Sequence, residues 1–143
     1  MKIVLQRVKQ ASVKVNDEEI ARINKGLCLL VGVEKGDSKD DARYLSKKAA
    51  GLRIFPDGEG KMNLSVQDIQ GEALAVSQFT LAGSIKKGRR PSFDNAESPE
   101  KAEELFGIFV QFLRDQGIPV STGRFGALMQ VDLTNDGPVT FIL

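Results

Sequence analysis

A short polar segment at residues 77–80 (SQFT) carries the side chains best suited to chemistry. It follows residues 73–76 (ALAV), whose small and branched side chains favour a buried strand that we expect to reach Phe79. Hydroxyl and amide groups at the end of such a strand must be hydrogen-bonded by neighbours or face a ligand. Polar residues of these types are also common in turns and at strand edges. The segment therefore fits a binding or catalytic site, and it equally fits an ordinary turn.

The sequence contains no histidine, and this excludes whole classes of mechanism. Hydrolases with a histidine triad need imidazole as a base, and the usual zinc sites need it as a ligand. An enzyme with this sequence must instead use carboxylates, lysines, hydroxyls, backbone amides or a group of the substrate. The single cysteine, Cys28, lies in the apolar run 27–33, and we interpret it as a buried hydrophobic residue rather than a nucleophile.

A basic segment follows the polar one, with four cations in five positions: Lys86, Lys87, Arg89 and Arg90. The glycine and proline within and after it argue against a helix, so we predict a loop. Such a cluster is commonly a solvated surface, but beside a site for a nucleic acid it would contact phosphates. Because the net charge of the chain is only +1, any affinity for a polyanion must come from a local patch of this kind.

The elements that must position these residues are mostly strands. Alternating or strongly apolar patterns predict strands at 2–8, 11–16, 19–24, 27–33, 73–79, 127–133 and 139–143. Asn16-Asp17 and residues 134–138 have the composition of turns. Most connections have the length of hairpins, which favours antiparallel pairing.

Two segments have the pattern of amphipathic helices. Ser38 and Asp41 match a capping box, and apolar residues follow at helical spacing (Ala42, Leu45, Ala49 and Leu52). Ser98-Pro99 begins the second helix, whose apolar face includes Leu105, Phe106, Phe109 and Leu113. Together these elements predict an α+β fold, in which a curled, mostly antiparallel, barrel-like sheet packs both helices on one side.

The length and the composition predict one globular domain over residues 1–143, since 41% of the residues are hydrophobic and 27% are charged. Arg7 and Lys9 fall within the first strand-like run, so we expect no signal segment, and no apolar run reaches the length of a membrane span. We therefore expect a cytoplasmic protein without a membrane partner.

Several of these segments resemble one known family. SQFTL at 77–81 and NDGPVT at 135–140 resemble the two signature motifs of the D-aminoacyl-tRNA deacylases of the bacterial and eukaryotic type. Other segments resemble the family in order and at plausible spacing: QRV at 6–8, ASV at 11–13, LRIF at 52–55, GKMN at 60–63, GRRPSF at 88–93 and TGRFGA at 122–127. The resemblance extends over nearly the whole chain.

The resemblance implies an enzyme that hydrolyses the ester joining a D-amino acid, or glycine, to the 3' end of tRNA. It implies a homodimer with active sites at the interface and no metal or other cofactor. It implies catalytic roles for Ser77, Gln78, Phe79 and Thr80. The four cations of the basic segment would bind the tRNA.

The same resemblance implies that Gly137-Pro138 is a cis peptide whose carbonyls project across the dimer interface, where an L side chain would clash. Arg7 would hold this dipeptide, and Met129 would also bind the substrate. Judged without the family, Arg7 has the pattern of a charge at a strand edge, and residues 137–138 have that of a turn.

Thr80 has two possible roles. In the family it is the natural candidate for a nucleophile, but its hydroxyl has no activating base in a chain without histidine unless a lysine or terminal amine lies near. We favour a positioning role, in which water attacks with help from the ribose 2'-hydroxyl of the substrate. Backbone amides near Phe79 and Thr80 would stabilise the oxyanion.

Two other classes of function remain open. An RNA-binding module without catalysis would use the basic segment together with Phe79 or Phe93 as stacking platforms. An esterase for other small acyl esters would need neither a basic loop nor a chiral filter. Only the first alternative explains the basic segment.

Overall fold

The computed structural model describes residues 1–86 and 88–143. Its strands are β1 (Lys2–Val15), β2 (Glu18–Ile23), β3 (Gly26–Gly32), β4 (Phe55–Pro56), β5 (Met62–Leu64), β6 (Glu72–Ser77), β7 (Val120–Thr122) and β8 (Gln130–Ile142). The helices are α1 (Lys39–Gly51), α2 (Pro99–Arg114) and a short 3-10 helix, η1 (Phe79–Ala82). None of the helices in these ranges has both the length and the apolar character needed to cross a membrane.

The first two predicted strands are one continuous strand, β1, which pairs along both edges. Residues 2–8 pair with β3 and residues 11–15 with β2 along one edge, and β8 runs antiparallel along the other. The pattern suggested a break because Lys9 and Gln10 are two successive exposed residues. A register shift between Val8 and Gln10 absorbs the extra residue as a bulge, so the strand continues.

The sheet also contains a parallel part, because β6 pairs in parallel with β3 on one side and with β7 on the other. Helix α1 lies between β3 and β6, and α2 lies between β6 and β7, as parallel neighbours require a long crossover. The pairs that β1 makes are all antiparallel. The predicted α+β fold with a mostly antiparallel, barrel-like sheet is confirmed, and the parallel part is an addition that the hairpin-length connections did not indicate.

The two faces of the sheet bury separate cores, and alternate residues of β3 divide between them. Leu27 and Leu29 belong to the core that both helices cover, which confirms the placement of the helices on one side. Cys28 belongs to the opposite core. Its side chain is fully buried, and burial raises the pKa of its thiol to about 11, which confirms that it is a buried apolar residue.

The two helices begin differently. At α1 the hydroxyl of Ser38 accepts a hydrogen bond from the Asp41 amide, and the Asp41 carboxylate accepts one from the Ser38 amide, so the predicted capping box is confirmed. At α2 Ser98 occupies the N-cap position, but its side chain makes no capping hydrogen bond. Pro99 lies in the first turn of α2, as predicted.

Candidate active site

The polar segment lies where β6 gives way to η1. The expected strand to Phe79 is wrong at its end, because β6 stops at Ser77 and Phe79 begins the 3-10 helix. The last parallel hydrogen bond to β3 runs from the Gln78 amide to the Val31 carbonyl, at 2.8 Å. Beyond it the chain turns, and the Leu81 amide donates to the Gln78 carbonyl at 3.2 Å. The sequence did not indicate this turn, because Phe79 is an apolar residue of a type that favours strands and suggested that β6 continues past Ser77 and Gln78.

The side chains at this turn are largely accessible. The Gln78 side-chain amide donates to the Thr80 hydroxyl at 2.6 Å, and Thr80 is exposed. The Phe79 ring is 59% exposed and packs edge to face on Phe93, with 5.0 Å between ring centroids. Amide groups at the start of a helix have no acceptor within it, and the described contacts give those of Phe79 and Thr80 no other acceptor. Two amide donors beside an exposed hydroxyl can stabilise an oxyanion.

A cavity of about 520 Å³ opens beside this turn. Ser77, Gln78, Phe79 and Met129 all contribute to its wall, so the structure brings four of the expected site residues together. The rest of the wall is mainly apolar and comes from the end of β3 and the residue after it, the first half of α2 and the segment before β8 (including Val33, Ala102, Phe106 and Phe125). Thr80 does not line the cavity, but its hydroxyl accepts a hydrogen bond from Gln78, which does. An apolar cavity with a few polar groups at one end is typical of a site for a small organic group.

The residues predicted as a turn at 134–138 instead lie within the continuous strand β8. Gln6 pairs with Thr140 and Val8 with Asn135. Residues 136–139 therefore form a bulge of four residues opposite Arg7. The Gly137-Pro138 peptide in this bulge is cis, and both residues are exposed. Turn-forming residue types are therefore present, but here they change the direction of the backbone within a bulge and do not end the strand.

Arg7 contacts this bulge from the buried side. Its Nε donates to the Asp136 carbonyl at 2.8 Å, its Nη1 donates to the Ile54 carbonyl, and the Asp136 carboxylate lies 3.5 Å away. Arg7 is only 9% exposed, so it is a buried structural cation and not a charge at a strand edge. A buried guanidinium with several acceptors fixes the backbone that it contacts.

Asn135 clamps the same bulge from within, a role that the sequence did not reveal. Its side-chain oxygen accepts from the Val139 amide at 2.6 Å, and its side-chain nitrogen donates to the Val139 carbonyl at 3.2 Å and to Gln6 Oε1 at 3.0 Å. The only available signal was an asparagine directly before the unusual Asp-Gly-Pro run. Asparagine frequently closes backbone loops of this size through its side chain.

The bulge and the cavity are far apart within one chain. Arg7, under the bulge, pairs with Leu27 at the start of β3, whereas Gly32, at the other end of β3, lies against η1. Five residues of an antiparallel strand span about 17 Å. Gly137 and Pro138 do not line the cavity. The structure thus does not bring the two expected halves of the site together in a single chain.

The described residues of the basic segment, Lys86, Arg89 and Arg90, lie outside helices and strands, beside the cavity. The base of the segment is closed by two hydrogen bonds between Ser84 and Ser92, at 2.8 and 2.9 Å, and Phe93 connects that base to Phe79. Lys86, Arg89 and Arg90 are exposed and take part in none of the ion pairs found in the described ranges. Lys87, the fourth expected tRNA-binding residue, lies outside the described residues.

The contacts of Thr80 bear on its two possible roles. In the described part of the chain its hydroxyl has one side-chain partner, the neutral amide of Gln78. The terminal amine, one of the bases that the sequence left open, contacts Asp37 and Glu34 instead. Residues 1–86 and 88–143 contain no cluster of three carboxylates, cysteines or histidines that could bind a metal ion. Among the residues that the structure describes, the contacts of Thr80 thus include a hydrogen bond to a neutral amide but no base.

Comparisons with known proteins agree over the whole chain. The family model described as D-Tyr-tRNA(Tyr) deacylase matches residues 4–143. The D-aminoacyl-tRNA deacylase of Geobacter metallireducens is 58% identical over 143 residues, which are 100% of this chain and 95% of the relative. That of Persephonella marina is 59% identical over 140 residues, or 98% of this chain and 95% of the relative.

Solved structures give the same fold. A structure described as c-Myc DNA Unwinding Element Binding Protein matches with a TM-score of 0.95 and 43% identity, covering 100% of this chain and 97% of the other. A probable eukaryotic D-amino acid tRNA deacylase matches with a TM-score of 0.82 and 20% identity, covering 99% and 97%. The second likeness concerns the fold alone.

Proposed function

The chain belongs to the D-aminoacyl-tRNA deacylase family, hydrolases of the ester bond in D-aminoacyl-tRNA, and we propose that it selects the D configuration with backbone atoms of Gly137 and Pro138. The observation that carries this proposal is the bulge that holds both residues. Arg7 and Asn135 fix its backbone, yet Gly137 and Pro138 themselves are exposed. A rigid, exposed backbone at a glycine and a proline is suited to excluding one configuration by contact, whatever the amino acid.

Gly137 has little room for a side chain. A methyl group there would lie 2.6 Å from Val139 Cγ2 and 3.3 Å from Arg7 Nη2, and its φ of +149° is a region that L residues rarely adopt. A side chain at this position would therefore have to displace Val139 or Arg7 and so change the backbone of the bulge. Glycine esters, which have no β-carbon to reject, should be accepted along with D esters.

The chemistry that the site must supply is limited, because an aminoacyl ester is already activated. In our proposal water attacks the ester carbonyl, the amides of Phe79 and Thr80 stabilise the oxyanion, and the ribose 2'-hydroxyl assists proton transfer. Thr80 acts as a positioning group, since its side-chain partner is the neutral amide of Gln78. Met129 and Ser77 complete the wall that receives the 3' end of the substrate.

The active unit that we propose is a homodimer. Gly137 and Pro138 do not line the cavity of their own chain, so in our proposal a second chain brings its bulge to the cavity of the first. Strand β8 pairs only with β1 in the described part of the sheet and leaves its outer edge free. Near its end Phe141 and Ile142 are 39% and 78% exposed, an apolar edge suited to pairing with another chain.

We place the enzyme in the cytoplasm, where aminoacylated tRNA is present.

Matched substrates test the proposal directly. Purified protein is incubated with tRNA carrying D-alanine, L-alanine or glycine, and release of the amino acid is followed. We expect hydrolysis of the D and glycine esters only. Equal hydrolysis of the L ester would overturn the chiral filter, and hydrolysis of none would leave only a binding protein.

The role of Thr80 has its own test. Thr80→Ala should lower the rate but leave the fold intact, and a substrate with a 2'-deoxy terminal ribose should be hydrolysed slowly even by the wild type. A covalent aminoacyl adduct trapped on Thr80, or unchanged turnover of the 2'-deoxy substrate, would contradict the substrate-assisted mechanism.

Binding of nucleic acid without catalysis is the second candidate. It is favoured by the exposed cations of the basic loop and by the likeness to a structure described as a DNA unwinding element-binding protein. Titration with uncharged tRNA and with single-stranded DNA of equal length separates the two functions. A deacylase should bind tRNA and turn over its D-aminoacyl ester, whereas tight DNA binding without turnover would favour the second candidate.

A further inference from the structure

The outer face of α1 carries a second group of cations, remote in sequence from the basic loop. Arg43, Tyr44, Lys47 and Lys48 lie in the middle turns of the helix and are all exposed; we call them the α1 basic face. The opposite side of the helix is buried in the core through Ala42, Leu45 and Ala49. The packing of the helix therefore fixes the basic face towards solvent.

These cations have no acidic partner in the described part of the chain. Lys39, one turn before Arg43, pairs with Glu104 at 3.5 Å, but Arg43, Lys47 and Lys48 take part in none of the ion pairs found there. The acidic residues of α1, Asp40 and Asp41, lie in the first turn. The positive charge of the α1 basic face thus has no acidic partner within the described ranges.

Aromatic rings hold two of the charges in place. The guanidinium of Arg43 lies 5.0 Å from the centroid of the Phe112 ring, and the Lys48 ammonium lies 5.7 Å from that of Tyr44. The Tyr44 ring is 62% exposed and is the only tyrosine of the chain. Cations interleaved with an exposed aromatic ring are typical of surfaces that follow a nucleic-acid backbone.

The position of α1 relates this face to the proposed active site. β3 ends at Gly32, beside η1, and α1 begins seven residues later, at Lys39. The loop between them is joined to the segment after the basic loop, because the Lys35 amide donates to the Asn95 carbonyl at 3.0 Å. The thirteen residues of α1 extend for about 20 Å away from this region. A strand of RNA whose 3' end lies in the cavity could therefore pass along the helix.

We infer that the α1 basic face contacts the ribose-phosphate backbone of the substrate tRNA, beyond its terminal nucleotides. This inference rests on the proposed deacylase function. The contacts are electrostatic and independent of sequence, so they position the tRNA and add affinity but take no part in ester hydrolysis. Each cation that neutralises a phosphate adds about 0.7 to 0.9 to the slope of log affinity against log salt.

The test compares two triple variants of equal net charge. Arg43→Gln/Lys47→Gln/Lys48→Gln removes the α1 basic face. Lys61→Gln/Lys101→Gln/Arg114→Gln is the matched control, because its cations already contact Glu59, Glu97 and the Val120 carbonyl. For D-aminoacyl-tRNA the first variant should raise KM and reduce the salt slope by about 2 to 3, with kcat unchanged. The control should match the wild type within twofold.

A short substrate separates this inference from the function on which it rests. The D-aminoacyl ester of adenosine ends too soon to reach α1, so the wild type and both variants should hydrolyse it at equal rates. Failure of the wild type on both substrates would refute the proposed function. A KM and salt slope for tRNA that equal those of the control would overturn the inference, as would equal loss on the short ester.

Because Arg43 also packs on Phe112, Lys47→Gln/Lys48→Gln is the second variant. It leaves that contact intact and should show about two-thirds of the change in salt slope. An unchanged slope in this variant, with circular dichroism showing a folded protein, would likewise overturn the inference.

Discussion

At the scale of single residues, Gly32 shows how a missing methyl group can set the geometry of the site. A methyl group there would lie 2.8 Å from Leu81 Cβ and 2.9 Å from the Gln78 carbonyl oxygen. The Leu81 amide donates to that carbonyl, so both atoms belong to the first turn of η1. Since neither atom lies at the end of a flexible side chain, the turn itself would have to move.

Gly32→Ala should therefore lower kcat at least tenfold on D-aminoacyl-tRNA, because it displaces the amides of Phe79 and Thr80 from the oxyanion. KM should change little. Gly107→Ala is the control: Gly107 is exposed in α2 and a methyl group there meets no atom within 4 Å. It should retain full activity and gain about 0.5 to 1 kcal/mol of stability. Full activity in folded Gly32→Ala would show that η1 tolerates displacement.

Residue types predicted part of the site and missed the rest for a physical reason. The segment 77–80 stood out because it combines hydroxyl and amide groups after an apolar run. Gly32 and Asn135 did not stand out, because their importance lies in contacts with residues distant in sequence. Gly32 allows another part of the backbone to approach closely, and Asn135 closes a bulge. Neither role produces a pattern in the neighbouring sequence.

At the scale of elements, the two helices allow a matched test of capping. Ser38→Ala removes the hydroxyl that accepts from the Asp41 amide, and it should cost about 1 kcal/mol of unfolding free energy. Ser98→Ala occupies the same position in α2 but removes no capping hydrogen bond, so it should cost clearly less. Denaturant unfolding of both variants measures the difference. Equal losses would mean that the N-cap bond of α1 contributes nothing measurable.

The pH dependence of the α1 cap follows from Asp41. Hydrogen bonds from the Ser38 side chain and backbone lower the pKa of its carboxyl below the ordinary 3.8. Because the folded pKa is below the unfolded one, the stabilisation is complete above the unfolded pKa and is lost as pH falls through the folded one. The difference in unfolding free energy between wild type and Asp41→Asn should thus be largest near neutral pH and shrink as the pH falls below 3.8 and through the lowered folded pKa. A difference independent of pH would contradict this assignment.

Element patterns predicted both helices within a few residues and most strands, but not how the strands join. The boundary between residues 2–8 and 11–16 proved to be a bulge within β1, and the expected turn at 134–138 a bulge within β8. Two successive polar residues, or a Gly-Pro pair, look the same in a turn and in a bulge. Only the partner strand decides between them, and a single segment does not encode its partner.

At the scale of the whole molecule, the proposed homodimer has a consequence that variants can test. If the proposal is right, each active site combines Thr80 of one chain with Gly137 of the other. A variant in either residue then damages both sites of its own homodimer. A heterodimer of the two variants, however, contains one site in which both residues are intact.

Mixing the variants is therefore the most specific test of this assembly. Thr80→Ala and Gly137→Ala are each expected to have low activity on D-aminoacyl-tRNA, the second because a methyl group on Gly137 alters the exposed bulge. After unfolding and refolding together at equal concentrations, half of the dimers are mixed and each has one intact site, so about a quarter of wild-type activity should return. The two variants refolded separately and then combined provide the baseline. Activity that does not rise above this baseline, with sedimentation showing that dimers have formed, would mean that Gly137 does not complete the site of a partner chain.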